Sequence, residues 1–247
     1  MSNRPTAWLI FDGDNTLWNV EELYDEARVS LAQFIGSRGY SRTDVVDIQH
    51  KIDADLFSTY GYSINRYPES FETTLKHFIP DPQAIDISLV RRFAEKVFER
   101  TANIFEDATD TLYLLKRHFR LGLITAGDED VQSKRLRDAH EVTRLFERIE
   151  IVEKKTSHTY AQFCEKNLVP IDQSWSIGDS LRSDIIPARN LGLNAIWVEN
   201  HNWSIIESLN YTKDKHVYVV KALQEIPEIV VAETGNVSHS DDVIASD

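Results

Sequence analysis

The sequence predicts an α/β protein: a doubly wound parallel sheet, interrupted after its first strand by a block of helices. Three observations carry this. Short apolar runs stop abruptly at polar loops, as Ala7-Trp8-Leu9-Ile10-Phe11 does before Asp12-Gly13-Asp14-Asn15. From about residue 105 such runs alternate with amphipathic segments, and that alternation implies a parallel sheet covered on both faces. Between the first strand and the next, near residue 120, lies a long stretch with helical periodicity and no strong strand.

Element by element, residues 7 to 11 read as a buried strand. From Glu21 to about Arg100 the pattern is helical. Leu23, Ala27, Leu31, Phe34 and Ile35 recur on one face, as do Val90, Phe93, Val97 and Phe98, and Pro68, Pro80 and Pro82 punctuate the stretch. Thr109 to His118 is helical, with Leu112, Leu115 and Phe119 on one side. Residues 120 to 125 form a strand and Asp128 to His140 a polar helix. Residues 148 to 152 are a strand, and Ser157 to Asn167 a helix. Trp175-Ser176-Ile177 is a strand ending in Gly178-Asp179. Asp184 to Leu191 is a helix closed by Gly192, the residue type favoured just past a helix end. Asn194 to Val198 and His216 to Val220 are further strands. The tail from Glu233 to Asp247 is polar, lacks aromatics and is expected to fray. The resulting organisation is an α/β core from residues 1–19 and 105–232, an inserted helical domain over 20–104, and a flexible tail over 233–247.

Composition narrows the functions. The 247 residues hold 27 Lys+Arg against 40 Asp+Glu, a formal net charge of -13. Such a chain is repelled by phosphate backbones and by anionic membranes, so neither nucleic acid nor membrane is expected as a partner. Hydrophobic residues make up 42%, enough for packed cores. The single cysteine, Cys164, cannot form an intrachain disulfide. No signal-peptide apolar region precedes the first strand, and no apolar run approaches the ~18 residues of a membrane span. A cytoplasmic protein is expected, and the N-x-S/T sequons at Asn202, Asn210 and Asn236 read as chance matches. Oligomeric state is not legible.

In open α/β sheets, ligands bind beyond the carboxyl ends of the strands. Those ends carry Asp12 and Asp14 after the first strand and Thr125 after the second. Lys154 and Lys155 follow the third, and Asp179 the fourth, with Asp184 just beyond. Packed carboxylates raise one another's pKa values, and a hard cation such as Mg²⁺ relieves that repulsion. A carboxylate-bound cation beside a Lys and a Thr suits a phosphoryl group.

Taken together, Asp12-Gly13-Asp14-Asn15-Thr16-Leu17, Leu123-Ile124-Thr125-Ala126-Gly127, Lys155 and Gly178-Asp179-Ser180-Leu181-Arg182-Ser183-Asp184 resemble the four motifs of the haloacid dehalogenase-like hydrolase superfamily, in order. The resemblance covers about Trp8 to Val220, and the helical block matches in position that family's helical cap of the first type. It implies a Rossmann-like core and a Mg²⁺-dependent phosphatase acting on a small phosphorylated metabolite. Asp12 would be the nucleophile, forming an aspartyl-phosphate. Asp14 would be the general acid and then base. The side chains of Asp12 and Asp179, with the Asp14 carbonyl, would hold Mg²⁺, and Asp184 would support the metal directly or through water. Thr125, Ala126 and Lys155 would bind the phosphoryl group, and Thr16 would order the loop. Glu106-Asp107 stand where the family often has Pro-Gly. Lys155 fits the third motif better than Lys154, because Tyr160 follows it at the spacing where the family carries an aromatic residue.

Each motif has an ordinary reading. Asp12 to Asn15 could be a solvated turn, Thr125 a helix cap, Lys155 surface, and Asp179 and Asp184 the start of a helix. None of these explains their shared order and placement. A calcium loop is excluded because Leu17 and Leu23 stand where its Gly and Glu belong. A metal-dependent glycosyltransferase also carries D-x-D but need not supply the downstream Lys and Gly-Asp. No H-E-x-x-H, Walker or G-x-G-x-x-G pattern occurs. Two other functions compete: a 2-haloacid dehalogenase, which needs neither Asp14 nor metal, and a non-enzymatic phosphoacceptor module, which needs no cap. The aromatic stretch 57 to 67 either packs the insertion's own core or lines a substrate pocket, with Tyr60, Tyr62 and Arg66 as specificity candidates.

Overall fold

The computed structural model describes residues 6–199 and 214–234. Its strands are β1 (Trp8–Phe11), β2 (Trp18–Asn19), β3 (Asn103–Ile104), β4 (Arg120–Ala126), β5 (Arg148–Val152), β6 (Trp175–Gly178), β7 (Asn194–Val198) and β8 (Val217–Val220). Six of them form one parallel sheet in the order β5-β4-β1-β6-β7-β8. Side chains alternate across it. Leu9 and Phe11 of β1 join Leu121, Leu123 and Trp175 on one face, while Trp8 and Ile10 join Ile124 and Phe163 on the other. Both faces are covered, so β1 reads as an unbroken apolar run.

The first face is closed by α5 (Ala108–Leu115), α7 (His140–Thr143) and α10 (Ile226–Thr234), which bury Leu112, Val142 and Val230 there. The other is closed by α8 (Ser157–Asn167) and α9 (Ile186–Leu191), through Tyr160, Phe163 and Ala188. Between β4 and α7 lies α6 (Glu129–Asp138), started by the Asp128 carboxylate, which accepts the backbone N–H of Asp130 at 3.1 Å.

Four helices stand between β2 and β3: α1 (Glu21–Gly36), α2 (Arg42–Tyr60), α3 (Arg66–Phe78) and α4 (Ala84–Glu99). They share a hydrophobic cluster of their own, in which Leu31, Ile35, Phe71, Leu75 and Val90 are fully buried. The apolar periodicity read in α1 and α4 is the face turned into that cluster. β2 and β3 pair antiparallel, Trp18 opposite Ile104 and Asn19 opposite Asn103, so the chain leaves for the insertion and returns side by side.

Several local expectations are adjusted. The helix expected over 128 to 140 breaks at Ala139 into α6 and α7. The helix expected from Asp184 is preceded by a π-helical turn, Leu181–Ile185, and α9 proper begins at Ile186. Gly192 closes it with φ 101, a left-handed conformation that suits glycine. The β2–β3 ribbon and α10 were not foreseen. Two-residue strands show no period, and Ile226–Thr234 is too evenly apolar to show a helical stripe. Glu106 and Asp107 form the turn into α5, where the Asp107 carboxylate accepts the backbone N–H of Gln224 at 3.1 Å. Among the described residues no helix is long and apolar enough to cross a membrane. The three sequons and residues 235–247 of the expected tail lie outside the described residues; residues 233 and 234 belong to α10.

Candidate active site

Asp12 directly follows β1, the central strand at which the chain switches from the β4 side of the sheet to the β6 side. Such a crevice is where open α/β sheets bind ligands. The loop after it is tight. The Gly13 carbonyl accepts the N–H of Leu17 at 2.8 Å and of Thr16 at 3.2 Å. A side chain on Gly13 would meet the Trp18 ring at 2.4 Å, so only glycine fits. Asn15 adopts φ 59, and its side chain accepts the N–H groups of Val20 and Glu21, both at 3.0 Å, tying the loop to α1. The Thr16 hydroxyl donates to the Asp12 carboxylate at 3.3 Å.

The loop after β5 brings Lys155 in beneath Asp12. Its ammonium is buried and donates to Asp12 and, at 2.5 Å, to Asp184. Lys154, one residue earlier, is exposed, and its backbone carbonyl accepts from the Thr159 hydroxyl at 2.9 Å. The loop after β6 supplies the remaining acids. A side chain on Gly178 would sit 2.3 Å from the Asp184 Cγ, which accounts for the glycine before Asp179. The N–H of Ser180 donates to Asp184 at 3.1 Å. Below, the Ser176 hydroxyl lies 2.9 Å from the Asp184 carbonyl and 3.0 Å from the buried Tyr160 hydroxyl.

Carboxylate oxygens of Asp12, Asp179 and Asp184 lie within 4.8 Å of one another. Burial pushes the Asp12 carboxyl up to about 7; Lys155 opposes this, while Asp184 and Asp14 add to it. Asp184 is raised by burial too, again against Lys155 and with Asp179. Burial pulls Lys155 down, but the two carboxylates outweigh it and hold the ammonium well above its ordinary range. Among the described residues Lys155 donates to Asp12 and Asp184, and the three carboxylates that gather here offer oxygen donors only. The all-oxygen donor set therefore fits a hard divalent cation.

The side chain of Asp14 is not part of that group. It accepts from Trp18 Nε1 at 2.7 Å, from Gln132 Nε2 at 2.9 Å and from the guanidinium of Arg135. Gln132 and Arg135 both come from α6. Thr125 is fully buried and donates to Gln132 Oε1 at 3.0 Å, and the Ala126 carbonyl accepts from Gln132 Nε2 at 3.2 Å. Gln132 thus links the ends of β1 and β4. Neither Gln132 nor Arg135 was foreseen. They sit on a polar helix whose sequence does not show which face turns inward.

A cavity of about 200 Å³ lies over these groups, bounded also by Tyr24, Tyr62, Arg66 and Ala126. It adjoins a cavity of about 350 Å³ between the sheet and the helical insertion, lined by Arg28, Phe57, Tyr62, Arg66 and Arg182 among others. The Tyr62 hydroxyl is hydrogen-bonded to Ser183 at 2.9 Å, joining the insertion to the loop after β6. Arg66 donates to Asp53 at 3.0 Å and to the Gly61 carbonyl at 2.7 Å. The aromatic stretch is therefore divided. Tyr67 is buried in the helical cluster, Phe57 and Tyr62 line this cavity, and Tyr60 lines a further opening of about 470 Å³ shared with Lys154.

The haloacid dehalogenase-like hydrolase family model matches residues 9–198. The glyceraldehyde 3-phosphate phosphatase of Pyrococcus furiosus is 23% identical over 92% of this chain and 94% of its own. A haloacid dehalogenase-like family hydrolase from Xanthomonas campestris shares the fold with a TM-score of 0.76, at 21% identity over 95% of this chain and 96% of its own. The 2-haloacid dehalogenase of Pseudomonas syringae does so with a TM-score of 0.58, at 18% identity over 92% of this chain and 98% of its own.

Proposed function

On the premise that the chain belongs to the haloacid dehalogenase-like hydrolase family, we propose that it is a Mg²⁺-dependent phosphatase of a small phosphorylated metabolite. The observation that carries the reading is the gathering of Asp179 with the buried Asp12 and Asp184, which both accept from Lys155, and with Asp14 two residues after Asp12. A dehalogenase has no use for a divalent cation or for a second acid on that loop. The likeness to a glyceraldehyde 3-phosphate phosphatase supports the same choice. Residues 20–104 serve as the cap over a core of 1–19 and 105–232.

Asp12, Asp179 and the Asp14 carbonyl would hold the cation, and Asp184 would support it. When bound, Mg²⁺ supplies charge neutralisation for the phosphoryl oxygens. An oxygen of Asp12 attacks phosphorus, and the bond to the ester oxygen breaks, leaving an aspartyl-phosphate. Asp14 gives a proton to the departing oxygen. It then takes one from the water whose attack frees phosphate and restores Asp12. Lys155, Thr125 and the backbone at Ala126 bind the phosphoryl oxygens, and Lys155 favours the ionised form of Asp12 against the burial that raises its carboxyl. The cap excludes bulk water during turnover, which a phosphoacceptor switch has no need to do.

The test is turnover of p-nitrophenyl phosphate with and without chelator, beside chloride release from 2-chloropropionate. Turnover of the phosphate that chelator abolishes supports the reading. Chloride release that survives chelator would replace it with dehalogenation. A single stoichiometric phosphorylation without turnover would indicate the phosphoacceptor.

A further inference from the structure

The substrate class is written in the charges of the larger cavity, an inference that rests on the phosphatase reading. The smaller cavity, over the carboxylates, is where the phosphoryl group is expected to sit. It shares Tyr24, Tyr62, Arg66 and Ser183 with the larger one, so the leaving group extends there. Three arginines face that space. Two already carry counter-charges: Arg28 donates to Glu21 and to Asp25, and Arg66 to Asp53 at 3.0 Å. The third, Arg182, has no carboxylate within 4.0 Å among the described residues.

Arg182 is exposed, and it lies over an aromatic ring of the insertion. Its guanidinium carbon lies 4.7 Å from the centre of the Phe57 ring, and Phe57 is itself packed edge-on against Tyr62 at 5.1 Å. Stacking on an aromatic face orients an arginine without neutralising it and leaves its in-plane N–H groups free to bind a forked anion. Arg182 also belongs to the same short loop as Asp179 and Ser183, which fixes its position relative to the reacting phosphoryl group. We propose that Arg182 is a specificity-determining residue that binds a second anionic group, a carboxylate or a second phosphate, on the leaving group.

The experiment compares kcat/KM for esters differing in that group: glycerol phosphate with phosphoglycerate, and at greater length glucitol phosphate with phosphogluconate. Glucose bisphosphate separates a second phosphate from a carboxylate. The wild-type protein should prefer the member with the second anion in at least one pair. Arg182→Gln should shrink that preference by about 10- to 100-fold, chiefly through KM. Arg182→Lys, which keeps the charge and loses the fork, should restore part of it. A wild-type ratio near one at both lengths, or a ratio unchanged in Arg182→Gln, overturns the proposal while leaving the phosphatase reading intact. No turnover of any ester, p-nitrophenyl phosphate included, removes both.

Discussion

The guanidinium of Arg135, on α6, donates to the carboxylate of Asp14, 121 residues away in the chain. Arg135 is buried, and burial alone would pull its pKa down; Asp14 and Tyr24 together more than offset that. With Trp18 and Gln132, Arg135 holds the Asp14 side chain in one orientation. Arg135→Met should therefore lower kcat on alkyl phosphates by about 10- to 100-fold, the usual cost of misplacing a reacting group by an ångström or so. Aryl phosphates, whose leaving group needs less protonation, should lose less in the first step. The burst of released alcohol measures that step directly, and equal losses for both substrates would count against Asp14 as the acid.

The two lysines of the third motif should separate cleanly. Lys155→Ala strips the counter-charge from two buried carboxylates and should cost ~3–5 kcal/mol of stability as well as activity. Lys154→Ala removes an exposed side chain and should fall within about 0.5 kcal/mol of wild type. Denaturant unfolding and turnover of each variant give the comparison. The reverse ranking would shift the third motif by one residue.

Asp12 makes stability depend on pH when no metal is bound. Its carboxyl titrates from an ordinary value of 3.8 to about 7 on folding, chiefly through burial. A raised pKa means the native state holds the proton more tightly. The resulting stability is complete below the unfolded value and is lost as pH rises through about 7. Asp12→Asn cannot ionise, and Asp184 still pairs with Lys155. In chelator its Tm should match wild type near pH 4 and exceed it at pH 8, by about 2–4 °C for each kcal/mol regained. Added Mg²⁺ should narrow the gap by binding the native wild type. The same variant should lose several orders of magnitude in turnover. A gap that closes on raising the pH would contradict the burial argument.

Gly178→Ala tests how the acidic group is held. The new methyl would press on the Asp184 carboxylate at 2.3 Å and displace it. Mg²⁺ affinity should weaken by about 10- to 100-fold, as when a group supporting a metal ligand is disturbed. Titration calorimetry on the folded variant reads this. Unchanged affinity would show that Asp184 has no part in holding the cation.

Most of the α/β architecture was legible because local physics writes it. Each parallel strand is buried on both faces and must be apolar throughout. It ends at a polar loop, and α1 and α4 show their buried face at every third or fourth residue. The strand-end rule then gathered Asp12, Asp14, Thr125, Lys154, Lys155, Asp179 and Asp184 at one edge, of which Asp12, Lys155, Asp179 and Asp184 come together in the fold. The limits lie where local signals are weak. The break at Ala139, the π turn before α9 and the two-residue β2–β3 ribbon carry no period, and α10 is apolar nearly all round.

What the sequence alone determined, then, is the order of the elements and which charged residues stand at the carboxyl edge of the sheet, because both follow from strand and helix periodicity. What only the tertiary structure decided is how those residues are partnered. Arg135 and Gln132 converge on Asp14, Tyr62 reaches Ser183, and Arg182 stacks on Phe57. These pairings join segments up to 125 residues apart. Their side chains meet only because sheet and insertion pack at one particular angle, and no short-range pattern in the chain records that angle.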